Sequence, residues 1–507
     1  LRLSDTLKGI TAQAVLGDMG VEISDLSCSS SGASPSTVFF ALRGFSRDGH
    51  DFIFDAIKSG SAAVVLDRKD VFADVSRHVP KGGPTLVLVE DARSALSVAA
   101  SNFFGDPSKH LKLIGIVGTN GKTSVSYLLE SILMLSSKVG VIGTISYRYP
   151  GSSEKASLTT PDPVFLQSLL SKMREKQVRY VLLETSSHGL AQRRVDGCRF
   201  EMGIFTNITR EHLDFHGTFE NYMAAKLGFF EHHLDSSASP NAKAVVNLDD
   251  AHADRFLAAS KVETLTFSMS NGAADFLSRN IRLTGEGTAF EVRTPDVAFE
   301  VKTSLIGAHA VANCLAAIAA STALGLPAEQ IAEGVTSLDG IPGRFEKVAC
   351  GQDFLVVVDF AHTPDAIAKT ISTARELATG RIISVLGAGG DRDPTKRLPM
   401  GRIAAELSDL CIITSDNPRT EDPIEIVRQV ERGAKSASAE VMIEPDRRNA
   451  IELALENAAS GDVVLILGKG HESDQIIGTT RHSFDDRDVA RELLEGMAYI
   501  LESRGPQ

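Results

Sequence analysis

Residues 113–135 read LIGIVGTNGKTSVSYLLESILML, and the fold turns on how they are read. An apolar run ends in Gly118-Thr119-Asn120-Gly121-Lys122-Thr123-Ser124, after which Val125, Leu128, Leu129, Ile132 and Leu133 recur at helical spacing. Strand, glycine-bearing loop and helix in that order suit a phosphate. Glycines let backbone amides converge on its oxygens, and the helix N-terminus adds partial positive charge. Lys122 can reach β- and γ-phosphates, and the Thr123 hydroxyl can ligate Mg²⁺. Ile116 stands where the eight-residue motif has its first glycine, so this is the compact form Gly-Thr-Asn-Gly-Lys-Thr. A bare strand-to-helix turn with a surface lysine is the competing reading. Nucleotide binding is the expectation.

Outward from that loop, LKLIGIVG, VGVIGTI, RYVLLET, MGIFTNI and KAVVNLD alternate with helical stretches, which predicts a mainly parallel sheet with helical crossovers over residues 109–339. LDGIPGRFE reads as a linker. A second series follows in 340–507: FLVVVDF, RIISVLGAGG, LCIITSD, VMIEPD and DVVLILGKG, a Rossmann-like α/β unit. Residues 1–108 hold shorter strand candidates, STVFFAL and AAVVLD, around the loop RGFSRDGHDF. The expected fold class is α/β in three domains.

A chain of 507 residues exceeds one ordinary core, and a net charge of −13 argues against nonspecific binding to nucleic acid or anionic membrane. Any anionic ligand therefore needs a local nest of cations and amides. Cys28, Cys198, Cys314, Cys350 and Cys411 are scattered, without zinc spacing, and fit reduced thiols. No apolar run has a membrane span's length, and the opening LRLSDTLKGI lacks a signal peptide's apolar core, so a cytoplasmic location is expected.

Glu184 ends the strand VLLE and His212 follows another strand, so both should emerge on the phosphate-loop side of the sheet, where a carboxylate and an imidazole could hold Mg²⁺ on a triphosphate. A lone histidine beside Asp214 also reads as structural. Lys226, in YMAAKLGFF, reads by default as a solvated lysine. TSDNPRTEDP, 414–423, carries both charge signs at the end of an apolar strand, a pattern suited to a zwitterion. The alternative is a capping loop with Arg419 paired to Glu421 or Asp422.

GTNGKTS, ETSSHGLAQRRV, FTNITREHLDFHGTFENYMAAK, PGRFE, VDFAHTPD, GGDRDPTKR, SDNPR and LGKGHE occur in the order seen in the Mur ligase family, which the chain resembles over nearly its whole length. Within it the match is nearest to members that add meso-2,6-diaminopimelate to the D-Glu carboxylate of UDP-N-acetylmuramoyl-L-Ala-D-Glu through an acyl phosphate, with ATP and Mg²⁺, in peptidoglycan precursor synthesis. The resemblance implies that Glu184 and His212 ligate Mg²⁺ with Thr123. It also implies that Lys226, 14 residues after His212, is carbamylated and helps hold a second metal. Asn313, Arg344 and Asp359 match positions that clasp the nucleotide together with 118–124, with His362 nearby.

By the same resemblance Ser30, Phe45, Ser46, Arg47, Thr159, Thr160, Ser186, Gln192 and Arg194 bind the UDP-muramoyl-dipeptide, making 1–108 the uridine-nucleotide domain. Arg392, Asp416, Asn417, Pro418, Arg419, Gly468 and Glu472 form the diaminopimelate pocket. There Arg419 suits the distal carboxylate, and Asp416 and Asn417 the distal ammonium. The chain departs from the family pattern at Leu158, usually Asn, and at Ser29-Ser30-Ser31 and Pro35-Ser36-Thr37, usually Asp-Ser-Arg and Pro-Gly-Asp. A monomer is expected. The alternatives are an L-lysine-adding relative, which would commonly lack the arginine, and a non-catalytic descendant serving as an assembly subunit. The presence of Lys122, Glu184 and Lys226 argues for the enzyme. The Asp-Asn-Pro-Arg loop and GKGHE argue against D-alanyl-D-alanine-adding and folyl-polyglutamate ligases.

Overall fold

The computed structural model describes residues 1–44, 47–80, 82–234, 239–435, 437 and 439–504, with backbone alone from 498. Three main sheets follow one another along the chain. The first orders Ala12–Leu16, Thr85–Val89, Ala63–Leu66, Thr37–Phe40 and Asp25–Ser27, all parallel except the first. Thr85–Val89 is a continuous apolar run buried at every position, which is the pattern of a central strand.

The central sheet has a parallel heart: Glu263–Ser268, Lys243–Asn247, Met202–Phe205, Lys112–Val117, Tyr180–Glu184 and Val139–Ile142. Helix Lys122–Met134 covers one face with Val125, Leu128, Leu129, Ile132 and Leu133, all fully buried with helix Ala308–Ala323. Pro163–Glu175 and Phe219–Gly228 cover the other. Further strands extend both flanks: the antiparallel hairpin Ser146–Tyr149 and Ser152–Lys155 on one, and on the other Phe276–Leu283, parallel to Glu263–Ser268, followed by the antiparallel Thr288–Arg293 and Ala298–Thr303. The sequence does not announce these: Ser152–Lys155 is polar and mostly exposed, so it carries no apolar run.

Lys112–Val117 lies between Tyr180–Glu184 and Met202–Phe205, with Ile116 opposite Glu184 and Val117 opposite Phe205. That register brings the phosphate loop, Glu184 and the segment after Phe205 to one sheet edge, where open α/β sheets bind ligands. The third sheet orders Glu346–Lys347, Leu355–Asp359, Val463–Leu467, Ile382–Leu386, Leu410–Ile413 and Glu440–Ile443, parallel but for the first. Arg447 and Asp486, both fully buried, join helix Arg447–Glu456 to the last helix through two 2.7 Å contacts. Loops at this sheet's C-terminal edge face the central sheet's edge. Asn120 Nδ2 donates to Asp365 Oδ2 at 3.4 Å, and His362 Nε2 lies 3.6 Å from Glu211 Oε1. Among the described residues no helix is long and apolar enough to cross a membrane, and all five cysteines are free.

Candidate active site

Gly121 takes φ +89°, and a Cβ there would lie 2.4 Å from Asn313 Oδ1, so only glycine lets the turn press against that side chain. Lys122 Nζ donates to the carbonyls of Gly118 and Thr119, each at 2.8 Å, and Lys226 Nζ donates to Gly118 O at 2.6 Å. Asn120 N donates to Asn207 Oδ1 at 3.0 Å, and Thr119 Oγ1 shares a 2.8 Å hydrogen bond with the Tyr222 hydroxyl. Ser124 is buried at the start of the helix.

Glu184 is buried and its carboxylate collects hydroxyls. Thr123 Oγ1 donates to Oε2 at 2.9 Å, Thr144 Oγ1 to Oε2 at 2.7 Å, Ser126 Oγ to Oε1 at 3.4 Å, and Thr144 N to Oε1 at 3.2 Å. His212, half-buried in left-handed backbone (φ +55°), sets Nε2 3.6 Å from Glu211 Oε2. Burial pushes its imidazole down to about 4 against the pull of Glu211, so at neutral pH it is uncharged with a lone pair to give. Burial opposes charge on Glu211 as well, but His362, His212 and Lys122 hold its carboxyl well below the usual range.

Lys226 is not a solvated lysine. It is buried, with its ammonium 4.7 Å from the Tyr222 ring, and burial together with Lys122 drives its pKa well below the ordinary value. Among the described residues no three His, Cys, Asp or Glu side chains converge as a metal site. A divalent ion here would need hydroxyl, phosphate or further carboxylate oxygens beside Glu184 and His212.

The linker brings Arg344 over the Phe360 ring (4.5 Å). Burial disfavours its charge, and Asp359, Glu184 and Glu472 favour it. Asp359 turns its carboxylate inward: Oδ2 accepts from Phe345 N at 2.7 Å, and Oδ1 from Ala361 N at 2.8 Å and Thr370 Oγ1 at 3.2 Å.

In the third unit Arg419 sits in left-handed backbone (φ +52°) and donates through Nη1 to Gly390 O at 2.7 Å. The capping-loop alternative is overturned. Glu421 is taken by the buried Arg397, with both Nη donors at 2.8 Å, and Asp422 caps helix Pro423–Ala434. Asp416, Arg392 and Glu472 stand near enough to Arg419 to act on its charge. Pro418 lends its carbonyl to a tight approach, since a Cβ on Gly390 would meet that oxygen at 1.9 Å, and Gly468 (φ +114°) would likewise meet Asp416 Oδ2 at 2.8 Å. Burial lowers the pKa of half-buried Lys396, against the opposing pull of Glu211, Asp416 and Asp393.

A cavity of about 590 Å³ joins the first unit to the central one, lined among others by Ser29, Ser30, Ser31, Arg47, Arg93, Asp162, Gln192 and Arg194. That volume suits a nucleotide-sized ligand. Arg194 Nη1 donates to Thr160 O at 2.6 Å, and Thr160 Oγ1 bonds Ser186, which caps helix Ser187–Ala191. Thr159 Oγ1 is 3.2 Å from Thr144 Oγ1, which joins it to the Glu184 cluster. Phe45 and Ser46 lie outside the described residues.

Three family descriptions match in chain order: Mur ligase family, catalytic domain over residues 22–104; Mur ligase middle domain over 116–321; and Mur ligase, glutamate ligase domain over 343–470. The UDP-N-acetylmuramoyl-L-alanyl-D-glutamate–2,6-diaminopimelate ligase of Caldanaerobacter subterraneus subsp. tengcongensis is 41% identical over 495 residues, 97% of this chain and 99% of that protein. The chain belongs to the Mur ligase family. A solved structure of a ligase with the same name as that relative superposes with a TM-score of 0.68 at 30% identity, covering 98% of this chain and 99% of the other. MurF ligase from Thermotoga maritima in complex with ADP shares the fold at a TM-score of 0.61 and 22% identity, over 95% of this chain and 98% of that one.

Sequence reading of this Mur ligase missed Thr144, Glu211, Tyr222, Lys396 and Arg93. Glu211 had a signal, being an acid adjacent to His212. Thr144 directly follows the strand Val139–Ile142 by one glycine, as edge residues do. Tyr222 and Lys396 lie inside the quoted stretches FTNITREHLDFHGTFENYMAAK and GGDRDPTKR without a local signal of their own, and Arg93 had none, because their partners come from distant segments.

Proposed function

We propose that this Mur ligase is an ATP-dependent, ADP-forming acid–amino-acid ligase that joins meso-2,6-diaminopimelate to the D-Glu carboxylate of UDP-N-acetylmuramoyl-L-Ala-D-Glu. The observation that carries the choice of amine is the Asp416–Arg419 loop, where Arg419 donates through Nη1 alone among the described residues and feels the carboxylates of Asp416, Glu472 and Asp391. That charge pattern fits an amino acid with a zwitterionic centre at each end. The division of labour is 1–108 for the uridine nucleotide, 109–339 for ATP and 340–507 for the amine.

Residues 118–124 cradle the β- and γ-phosphates, with Lys122 moving from loop carbonyls to the transferring phosphoryl group. Asn313, against Gly121, and Arg344 close on the nucleotide. Asp359 acts through the chain turns that carry Arg344 and His362. The D-Glu carboxylate oxygen attacks the γ-phosphorus as the bond to ADP breaks, giving an acyl phosphate. The amine lone pair then attacks the acyl carbon, the tetrahedral centre collapses with loss of phosphate, and the amine gives up a proton. Thr160, Ser186, Gln192 and Arg194 orient the muramoyl-dipeptide, with Ser30, Arg47 and the unlooked-for Arg93 in the cavity for its nucleotide end.

Thr123, Glu184 and the neutral His212 form a donor set that fits Mg²⁺, which when bound neutralises phosphate charge. Lys226 fits carbamylation because a buried amine of lowered pKa keeps the lone pair that attacks CO₂ carbon, releasing a proton. Glu472, Asp416, Arg419, Arg392 and Asn417 hold the incoming amino acid. One copy carries every group in this reading, so a monomer suffices, and its nucleotide substrates imply the cytoplasm. Phosphate release measured with UDP-muramoyl-dipeptide, ATP and a panel of amino acids tests it. Diaminopimelate should be preferred. Preference for L-lysine, or no release with any amine, would overturn it.

A further inference from the structure

The hydrogen bonds around Asn417 bring a buried lysine, Lys469, to the back of the pocket. Asn417 Oδ1 accepts from Ile476 N at 2.9 Å and from Lys469 Nζ at 3.3 Å, which fills both lone pairs. Its Nδ2 donates to Glu472 Oε2 at 2.8 Å. Asn417 therefore has no acceptor left for an ammonium, only one N–H to offer a carboxylate. Asp416 Oδ2 and Glu472 Oε1 are acceptors that no hydrogen bond among the described residues engages. Asp416 Oδ1 already accepts from Asn417 N at 2.6 Å.

Lys469 is completely buried, and its ammonium spends its three N–H groups on Asp474 O (2.6 Å), Asn417 Oδ1 and Glu472 Oε2 (3.5 Å). It has none left for a ligand. One cation thus ties the loop after Leu410–Ile413, the loop after Val463–Leu467 and the strand Asp474–Ile477 together behind the two carboxylates.

We propose that Lys469 is a positioning residue that fixes Asn417 and Glu472, so that Glu472 Oε1 and Asp416 Oδ2 together receive the distal ammonium of the incoming amino acid. This rests on the function proposed above. Without Lys469, Asn417 loses an acceptor-side partner and can turn its amide, and Glu472 loses the charge that holds Oε2 back. Arg419, which holds the distal carboxylate in this reading, makes no contact with Lys469 and keeps its own partner Gly390 O.

The test compares three amines on parent, Lys469→Met and Lys469→Arg: meso-diaminopimelate, L-lysine, and 2-aminopimelate, which keeps the distal carboxylate but has no distal ammonium. Lys469→Met should raise KM about tenfold or more for the first two, the scale of one charge-assisted contact, and leave KM for 2-aminopimelate within about twofold. Acyl phosphate trapped as hydroxamate with hydroxylamine should form at the parent rate. Lys469→Arg should lie between, and is read by the same three-amine comparison if the Met variant does not fold. Equal shifts for all three amines, or none, overturn the proposal. A parent that ligates none of the three overturns the pocket reading itself, a result distinct from either.

Discussion

Lys226 and Arg419 are the residues whose chemistry departs most from their type. Lys226 is a buried amine beside Lys122, 2.6 Å from a loop carbonyl. Lys226→Ala should lower kcat by roughly 100-fold or more, the scale of losing a preorganised electrostatic group, and Lys226→Glu should recover part of it by restoring a carboxylate. Steady-state rates for both variants check this, and full activity in the alanine variant would sink the carbamate. Arg419→Ala should reduce kcat/KM for diaminopimelate by about 2–5 kcal/mol in transition-state terms, because the substrate carboxylate is left unpaired. L-Lysine has no group there, so its kcat/KM should hold or rise. A folded variant in which both fall in proportion shows that Arg419 is not the selector.

Among elements, the linker after helix Ala328–Thr336 matters out of proportion to its length. Gly343 has φ +64°, and a Cβ on it would stand 2.1 Å from His471 N and 2.3 Å from the Gly470 carbonyl carbon. Two backbone segments cross there with no room for a methyl, and Arg344 is the next residue. Gly343→Ala must push the linker off the loop after Val463–Leu467. It should cost about 1–3 kcal/mol of stability, the range for overpacking, and raise KM for ATP more than KM for the amine. Thermal unfolding and the two KM values measure it. An unchanged Tm with unchanged KM would mean that the crossing yields freely.

The whole molecule carries buried and half-buried histidines that resist protonation. Burial pushes His216 and His233 down to about 4 and His471 to about 3. Their folded pKa lies below the unfolded value of about 6.5, so between those values the unfolded chain binds more protons. Their contribution is fully present above about pH 6.5 and is lost as pH falls toward 4 and below. Denaturant midpoints at pH 7.5, 5.5 and 4.5 should therefore decline, and His233→Phe, which keeps a ring against Phe200 and Phe229, should flatten the slope. A slope identical to the parent's would remove His233 from this account.

Local sequence determined the phosphate loop, the buried parallel strands and the helix that follows, because those features need only neighbouring residues: an apolar run, a glycine turn, a 3.6-residue period. The motifs likewise brought Glu184, His212 and Asp416–Arg419 to strand ends, since a strand's exit is legible in its own few residues. Tertiary structure alone decided what each group is free to do. Lys226 looks solvated in its helix, and only packing against Tyr222 and Gly118 makes it a desolvated amine. Arg419 looks paired to Glu421 two residues on, and only Arg397, from a distant helix, removes that partner. Asn417 looks like an ammonium acceptor until Ile476 and Lys469 fill its oxygen. Charge state and hydrogen-bond capacity depend on the sum of surroundings in three dimensions, and those surroundings here come from segments tens to hundreds of residues apart.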